Sequence, residues 1–352
     1  MAITANGSTG SIRVNNISHH HPVVIDPANV LNYYYEVESI GITGFSGNFL
    51  FNYMSSDVVG GPECSYYSAK LIIPGTNWFK SSSGVDCVNH KLTFNYNTVN
   101  DGSLTGEYTA GLDPAIPNTV PQYTSIADGD WTNQSIWTPS GGSTYPCPVG
   151  GPNGFVVMIN NVVTADANYC TAYKTYINST LKIVNPYFGH NLGTVYGNGT
   201  LYLESPMFPA GRFGAFLDCA GTGTVEYGGT GTYNIMADLY SSVPNLTFSG
   251  SGSRVLPNKD LTVCRQLLIN GPTLNNSIYN HELFINGTML LSSGAFNSGT
   301  GDNATVSFSG ITAQSVQGFN GTNAFNNLEI NNSAGLISVS YTHLTLPTNR
   351  EV

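Results

Sequence analysis

Residues 223–235 read GTVEYGGTGTYNI and residues 304–316 read ATVSFSGITAQSV, nearly the same phrase 81 residues apart. Each copy sets an apolar-x-apolar tripeptide (Val225-Glu226-Tyr227, Val306-Ser307-Phe308) before a glycine turn, then closes on a second apolar residue, Ile235 or Val316. The tripeptide recurs as Leu181-Lys182-Ile183, Leu201-Tyr202-Leu203, Leu246-Thr247-Phe248, Leu283-Phe284-Ile285 and Leu328-Glu329-Ile330. Several of these steps are 20 to 24 residues long, with Gly and Asn between them. A three-residue strand buries little alone, but strands stacked one per turn share a continuous core, so the rhythm predicts a right-handed parallel β-helix over residues 125–338. GTLYLES (199–205) returning as GTMLLSS (287–293) agrees. The competing reading is a second antiparallel sandwich. Alternation predicts Val225, Tyr227, Val306 and Phe308 inside, with Glu226 and Ser307 outside.

Residues 27–112 keep a different rhythm. Phe49, Phe51 and Tyr53 alternate with polar residues, as do Leu92, Phe94 and Tyr96. Strands of this kind between Gly, Pro and Ser punctuation predict an antiparallel β-sandwich, giving an all-β chain. Residues 1–26 read as a polar N-terminal segment, and 113–124, with prolines at 114, 117 and 121, as a linker.

Composition narrows the partners. Of 352 residues only 9% are charged, against roughly 25% in ordinary soluble domains, and 41% are hydrophobic, enough to support a core. Twenty-one acids face 11 Lys plus Arg, a net charge of −10. With no basic patch to neutralise phosphates, nucleic acid is not an expected partner. No apolar run is long enough to span a membrane. No cofactor is expected.

Six cysteines show neither CxxC nor zinc spacing. Cys64 with Cys87, and Cys147 with Cys170, would each close a loop of about 24 residues, worth roughly 3 kcal/mol if oxidised. Six buried thiols is the alternative. Cys219 and Cys264 read as buried thiols rather than a bridge.

Chemistry-bearing motifs are sparse. Asp128-Gly129-Asp130-Trp131 has the alternate carboxylates of a calcium loop but no closing acid, and reads as a β-turn. His19-His20-His21 could bind a transition metal but lacks supporting ligands, so no metal site is assigned. The other histidines (90, 190, 281, 343) offer no recognisable setting. Eight acids in the repeats (Glu204, Asp218, Glu226, Asp238, Asp260, Glu282, Asp302, Glu329) could in principle supply a glycosidase pair. A polysaccharide lyase or hydrolase would also draw on Arg212, Arg254 or Arg265. A carbohydrate-binding module would stack sugars on Trp78, Trp131 or Trp137. No catalytic residue is assigned. The many Asn-x-Ser/Thr sites (Asn178, Asn198, Asn245, Asn286, Asn303) read as amides bonding the backbone of neighbouring turns.

SIADGDWTNQSIWTP (125–139), with its Gly-x-Trp-x5-Trp spacing, resembles the module opening of large secreted surface proteins of Bacteroidota. TVSFSG…QSVQG…FNNLEINNSAG (305–335) resembles their β-helical repeats, and NYYYEVES, FNYMSSDVVG and GEYTAG resemble a β-sandwich of the same proteins. The resemblance implies type IX export, a place at the outer cell surface, and a structural or adhesive role without catalysis. Extracellular polysaccharide or a host or neighbouring cell surface would be the partner. The start MAITANGSTG lacks a cationic and then apolar leader, and VSYTHLTLPTNREV (339–352) resembles translated sequencing-adapter read-through. The expectation is a fragment with a non-native tail.

Overall fold

A computed structural model describes residues 10–42, 45, 47–72, 75–96, 103–235, 240–319 and 323–339. Almost all of the regular structure is β, with only short 3₁₀ turns besides. Among the described residues no helix is long and apolar enough to cross a membrane. The chain divides into two compact units. The first runs to residue 122 and takes in 139–145 and 154–156; the second holds 123–138, 146–153 and the chain from 157 onward.

The first unit is built of two antiparallel sheets. Five strands run in the order Ser11–Ile17, Tyr34–Ile40, Gly106–Gly111, Tyr67–Ile72, Trp78–Ser81, and three in the order Asn48–Asn52, Lys91–Asn95, Val85–Asp86. The expected alternation holds: Phe49, Phe51, Tyr53, Leu92, Phe94 and Tyr96 are all buried. Phe51 and Phe94 reach the Tyr108 ring of the other sheet at centroid distances of 5.0 and 4.8 Å.

Two stretches differ from expectation. The polar N-terminal segment supplies an edge strand, Ser11–Ile17, and buries Val23 and Val24. Residues 113–122, read from their prolines as a linker, belong to the first unit. The apolar residues between those prolines, Ala115, Ile116 and Val120, are buried, and the Val120 amide donates to the Thr76 carbonyl at 2.8 Å. The 339–352 tail, beyond Val339, lies outside the described residues.

The second unit is a parallel β-solenoid of about eight turns. Along its most regular face the strands Val162–Ala165, Thr180–Ile183, Thr200–Leu203 and Thr224–Tyr227 pair in parallel and in register. The same face continues through 245–248, 266–269, 288–291 and 314–317. Register stacks Val163, Leu181, Leu201, Val225, Leu246, Leu267, Met289 and Val316 in one inward column, each essentially inaccessible to water. Burying such side chains stabilises by roughly 1.5–3 kcal/mol each. A second face precedes it in each later turn, carrying Leu261–Val263, Leu283–Ile285, Thr305–Phe308 and Asn327–Ile330. A third follows, through Thr232–Asn234, Ser253–Val255, 273–275 and 295–297.

The duplicated phrase therefore serves two faces. Val225 and Tyr227 stand on the first face, whereas Val306 and Phe308 pair with Leu283 and Ile285 on the second. All four are fully buried, as expected. Ser307 is not outside: it is 1% exposed and its hydroxyl donates to Glu329 Oε2 at 2.9 Å. Glu226, half-buried, accepts from Ser249 Oγ at 2.5 Å.

Candidate functional site

The structure places most of the expected site residues. All three tryptophans are buried, which removes Trp78, Trp131 and Trp137 as sugar-stacking surfaces. The Gly-x-Trp-x5-Trp spacing instead builds a packed pair, with rings 5.6 Å apart and nearly perpendicular. Trp137 Nε1 donates to the Trp131 carbonyl at 2.9 Å, and Trp131 Nε1 to Asn153 Oδ1 at 3.0 Å. Trp78 packs on the ring of His21, whose Nε2 lies 2.7 Å from Glu107 Oε2. In the turn 128–131 the Asp128 carboxylate caps the Val162 amide at 2.8 Å.

Cys64 and Cys87 form a disulfide as expected. The pairing of Cys147 with Cys170 is corrected: both are free and buried, and burial pushes their thiols up to about 12 and about 11. Cys219 and Cys264 form the second disulfide instead, 45 residues apart. Nearness in a solenoid follows whole turns rather than short loops. Cys219 precedes the strand Thr224–Tyr227 and Cys264 precedes 266–269, two turns on, so the bridge reaches across the turn between.

Arg254 is a heavily committed polar side chain of the solenoid. It is 0% exposed and lies over the Tyr233 ring, 4.3 Å from its centroid. Its guanidinium donates to the carbonyls of Gly228, Gly229, Gly231, Ser249 and Ser251 at 2.7–3.0 Å, with longer contacts to Tyr227 and Ser253. These carbonyls belong to one corner of two successive turns. The corner needs glycine: Gly250 has φ +82°, and a Cβ there would meet the Gly229 carbonyl oxygen at 1.9 Å. Burial lowers the Arg254 pKa, the facing Tyr233 partly opposing it. Arg254 is thus taken by backbone and withdrawn from any substrate role. Arg212 is exposed, and Arg265 donates to the Ala220 carbonyl at 3.2 Å.

The acids hold ladders in the same way. Besides Glu226 and Glu329, Asp260 accepts from the Glu282 amide at 3.0 Å and lies 3.2 Å from His281 Nδ1. Burial first, then Glu329 and Asp260, raise the Glu282 carboxyl above its usual range. Asp238 lies outside the described residues. Asparagine amides tie neighbouring turns as expected: Asn245 Nδ2 donates to the Thr222 carbonyl at 2.8 Å and Asn178 Nδ2 to Asn160 Oδ1 at 2.8 Å. Among the described residues no group of three His, Cys, Asp or Glu could hold a metal ion.

Two adjoining hollows open on the solenoid, sharing Pro209 and Ala210. One, of about 440 Å³, is lined by Phe213, Leu217, Tyr240 and Cys219 of the second disulfide. The other, of about 290 Å³, is lined by aromatic and aliphatic side chains and His190. His190 is 4% exposed, with both ring nitrogens closed to water, and the polar group that acts on its ring is the Tyr187 backbone. Burial lowers its pKa, the Tyr187 backbone opposing only in part. Sequence reasoning passed over His190. The signal was there in Tyr187-Phe188-Gly189-His190, an aromatic pair beside a glycine and an imidazole, but it acquires meaning only once Met207 and Phe208 stack beside it.

No known family model, curated protein or solved structure matches the chain.

Proposed function

We propose that this chain is a structural segment of a secreted, adhesive cell-surface protein, its solenoid serving as a stiff spacer. The observation that carries this is the unbroken inward column from Val163 to Val316, in which every turn is fastened in register to the next. Such a stack resists extension because strands must leave it one turn at a time. Two disulfides fit an oxidising, extracytoplasmic compartment. The likeness to type IX-exported surface proteins of Bacteroidota supports the same location, with polysaccharide or a cell surface as what the whole protein meets.

Single-molecule pulling of the full chain tests the spacer. Stepwise release of turn-sized lengths is expected. Reductant should add about 150 Å of contour from the segment closed by Cys219–Cys264, at about 3.3–3.6 Å per residue. Collapse of the solenoid in one low-force event, with or without reductant, would refute the reading.

A further inference from the structure

The Cys219–Cys264 bridge lies at the surface of the solenoid. Cys219 is exposed and lines the larger hollow, whereas Cys264 is half-buried. The bridge holds a stretch that has no ladder of its own. Residues 213–223, between the strands Ala210–Arg212 and Thr224–Tyr227, contain no strand. Phe216 and Leu217 are buried there, while Gly214, Ala215, Asp218 and Ala220 are exposed.

Charge sets this bridge apart from the other one. The exposed Arg265 spans the same gap, its backbone adjoining Cys264 and its Nη2 donating at 3.2 Å to the carbonyl of Ala220, the residue after Cys219. Asp218, on the other side of Cys219, turns its carboxylate to the Ala220 amide at 2.9 Å. Cys64–Cys87 is likewise exposed at one end, but acids flank both cysteines, Glu63 and Asp86, and Lys91 stands opposite Asp86 on the neighbouring strand. The chain's own free thiols are no source of attack on either bridge. Cys147 and Cys170 are buried, which holds them in the unreactive protonated form.

We propose that the Cys219–Cys264 bridge is a thiol-exchange site for a small carboxylate-bearing thiol. Arg265 is bound to one carbonyl only and keeps donors for the ligand carboxylate, a pairing its planar fork suits. The ligand thiol gives its proton to water, and its thiolate attacks the accessible Sγ of Cys219. A new S–S bond forms there as the Cys219–Cys264 bond breaks, and the electron pair leaves on Cys264. A cation beside a leaving thiolate lowers its pKa and speeds its departure. The Cys264 thiolate then returns and expels the ligand, or a second ligand thiolate attacks the mixed disulfide. The second course yields the ligand disulfide and two reduced cysteines, with no other oxidant or reductant. Neither cysteine belongs to the inward column, so exchange frees the 213–223 corner and leaves the stack closed. The site goes beyond the spacer role and does not require it.

The test treats the intact chain with glutathione at pH 8, quenches with acid and maps the adduct by peptide mass. Glutathione should appear on Cys219 well ahead of Cys264, Cys64 or Cys87, with the far-UV circular dichroism unchanged. Cysteamine, which carries an amine in place of carboxylates, should react about threefold more slowly at equal thiolate concentration, the effect of one exposed charge nearby. Arg265→Gln should slow glutathione by a similar factor and remove its advantage over cysteamine, and 1 M salt should do the same by screening. Arg13→Gln, at an exposed arginine of the first unit, should leave the rate unchanged. If Arg265→Gln does not fold, the salt dependence and the comparison of the two thiols in the parent decide. An adduct mainly on Cys264, equal reaction at Cys64–Cys87, reaction only after denaturation, or a rate indifferent to both Arg265 and salt would overturn the assignment.

Discussion

Replacing Arg254 with methionine asks what one buried guanidinium does for the stack. Methionine keeps much of the length and apolar stem but leaves the Gly228, Gly231, Ser249 and Ser251 carbonyls without this donor. Hydrogen bonds from a charged group contribute about 1.5–3 kcal/mol each, so the three shortest would together be worth roughly 5–9 kcal/mol. Against this stands the several kcal/mol spent in taking the cation out of water, which methionine recovers. The Tyr233 hydroxyl and the Ser251 and Ser253 amides go on serving Gly228, Gly229 and Gly231, which limits the loss further. The net expectation is a destabilisation of about 3–5 kcal/mol, in the range seen when a buried charge network is broken. Urea unfolding followed by tryptophan fluorescence measures it, because Trp131 and Trp137 lie within the solenoid unit. Arg254→Lys should recover only part, since an ammonium cannot fork across both turns. Arg212→Met, at an exposed site, should change little. If Arg254→Met unfolds within 1 kcal/mol of the parent, water replaces the guanidinium at little cost and the argument for a structural arginine is wrong.

Tyr227→Ala and Phe308→Ala should each cost about 3–5 kcal/mol in the same assay, as buried aromatics do. Ser307→Ala should cost about 1 kcal/mol through its lost hydrogen bond to Glu329, and Glu226→Ala less. Glu282 has a folded pKa above its unfolded one, so its ionisation opposes folding at neutral pH and ceases to as the pH falls below the unfolded value of about 4.3. Glu282→Gln should therefore raise the thermal midpoint at pH 7 and leave it unchanged near pH 3; scans at both values check this. The raised pKa values of Cys147 and Cys170 predict that neither takes up iodoacetamide at pH 8 in the native state, whereas both do after denaturation, as peptide mass mapping would show.

The parallel stack was legible because period and burial are local properties: a tripeptide with apolar ends shows in one dimension which side chains point inward. Which face a tripeptide joins is not local. Leu246-Thr247-Phe248 and Leu283-Phe284-Ile285 look like consecutive members of one series, yet the successor of Leu246 is Leu267, inside a 15-residue strand that bends across all three faces. The pairing of the solenoid cysteines failed for the same reason, whereas Cys64–Cys87 held. A loop-length argument favours near neighbours, while the solenoid joins residues two turns apart. Prolines at 114, 117 and 121 signalled a break in pattern, but the burial of Ile116 and Val120 depends on the strands they meet. The hollow beside His190 was hidden for a further reason, since its lining comes from two successive turns and neither carries a motif.

That one phrase serves two faces has a bearing on how such a chain can lengthen. Glycine corners make each strand and the bend after it a module that fits any side of the triangle. A duplicated stretch then need not equal a whole number of turns: it can enter out of phase, rotate every later copy by one side, and still find an apolar column waiting. Lengthening of such a stack is then not limited to whole turns, and comparing the chain with itself miscounts its turns wherever a copy has changed face, as Val225 and Val306 show.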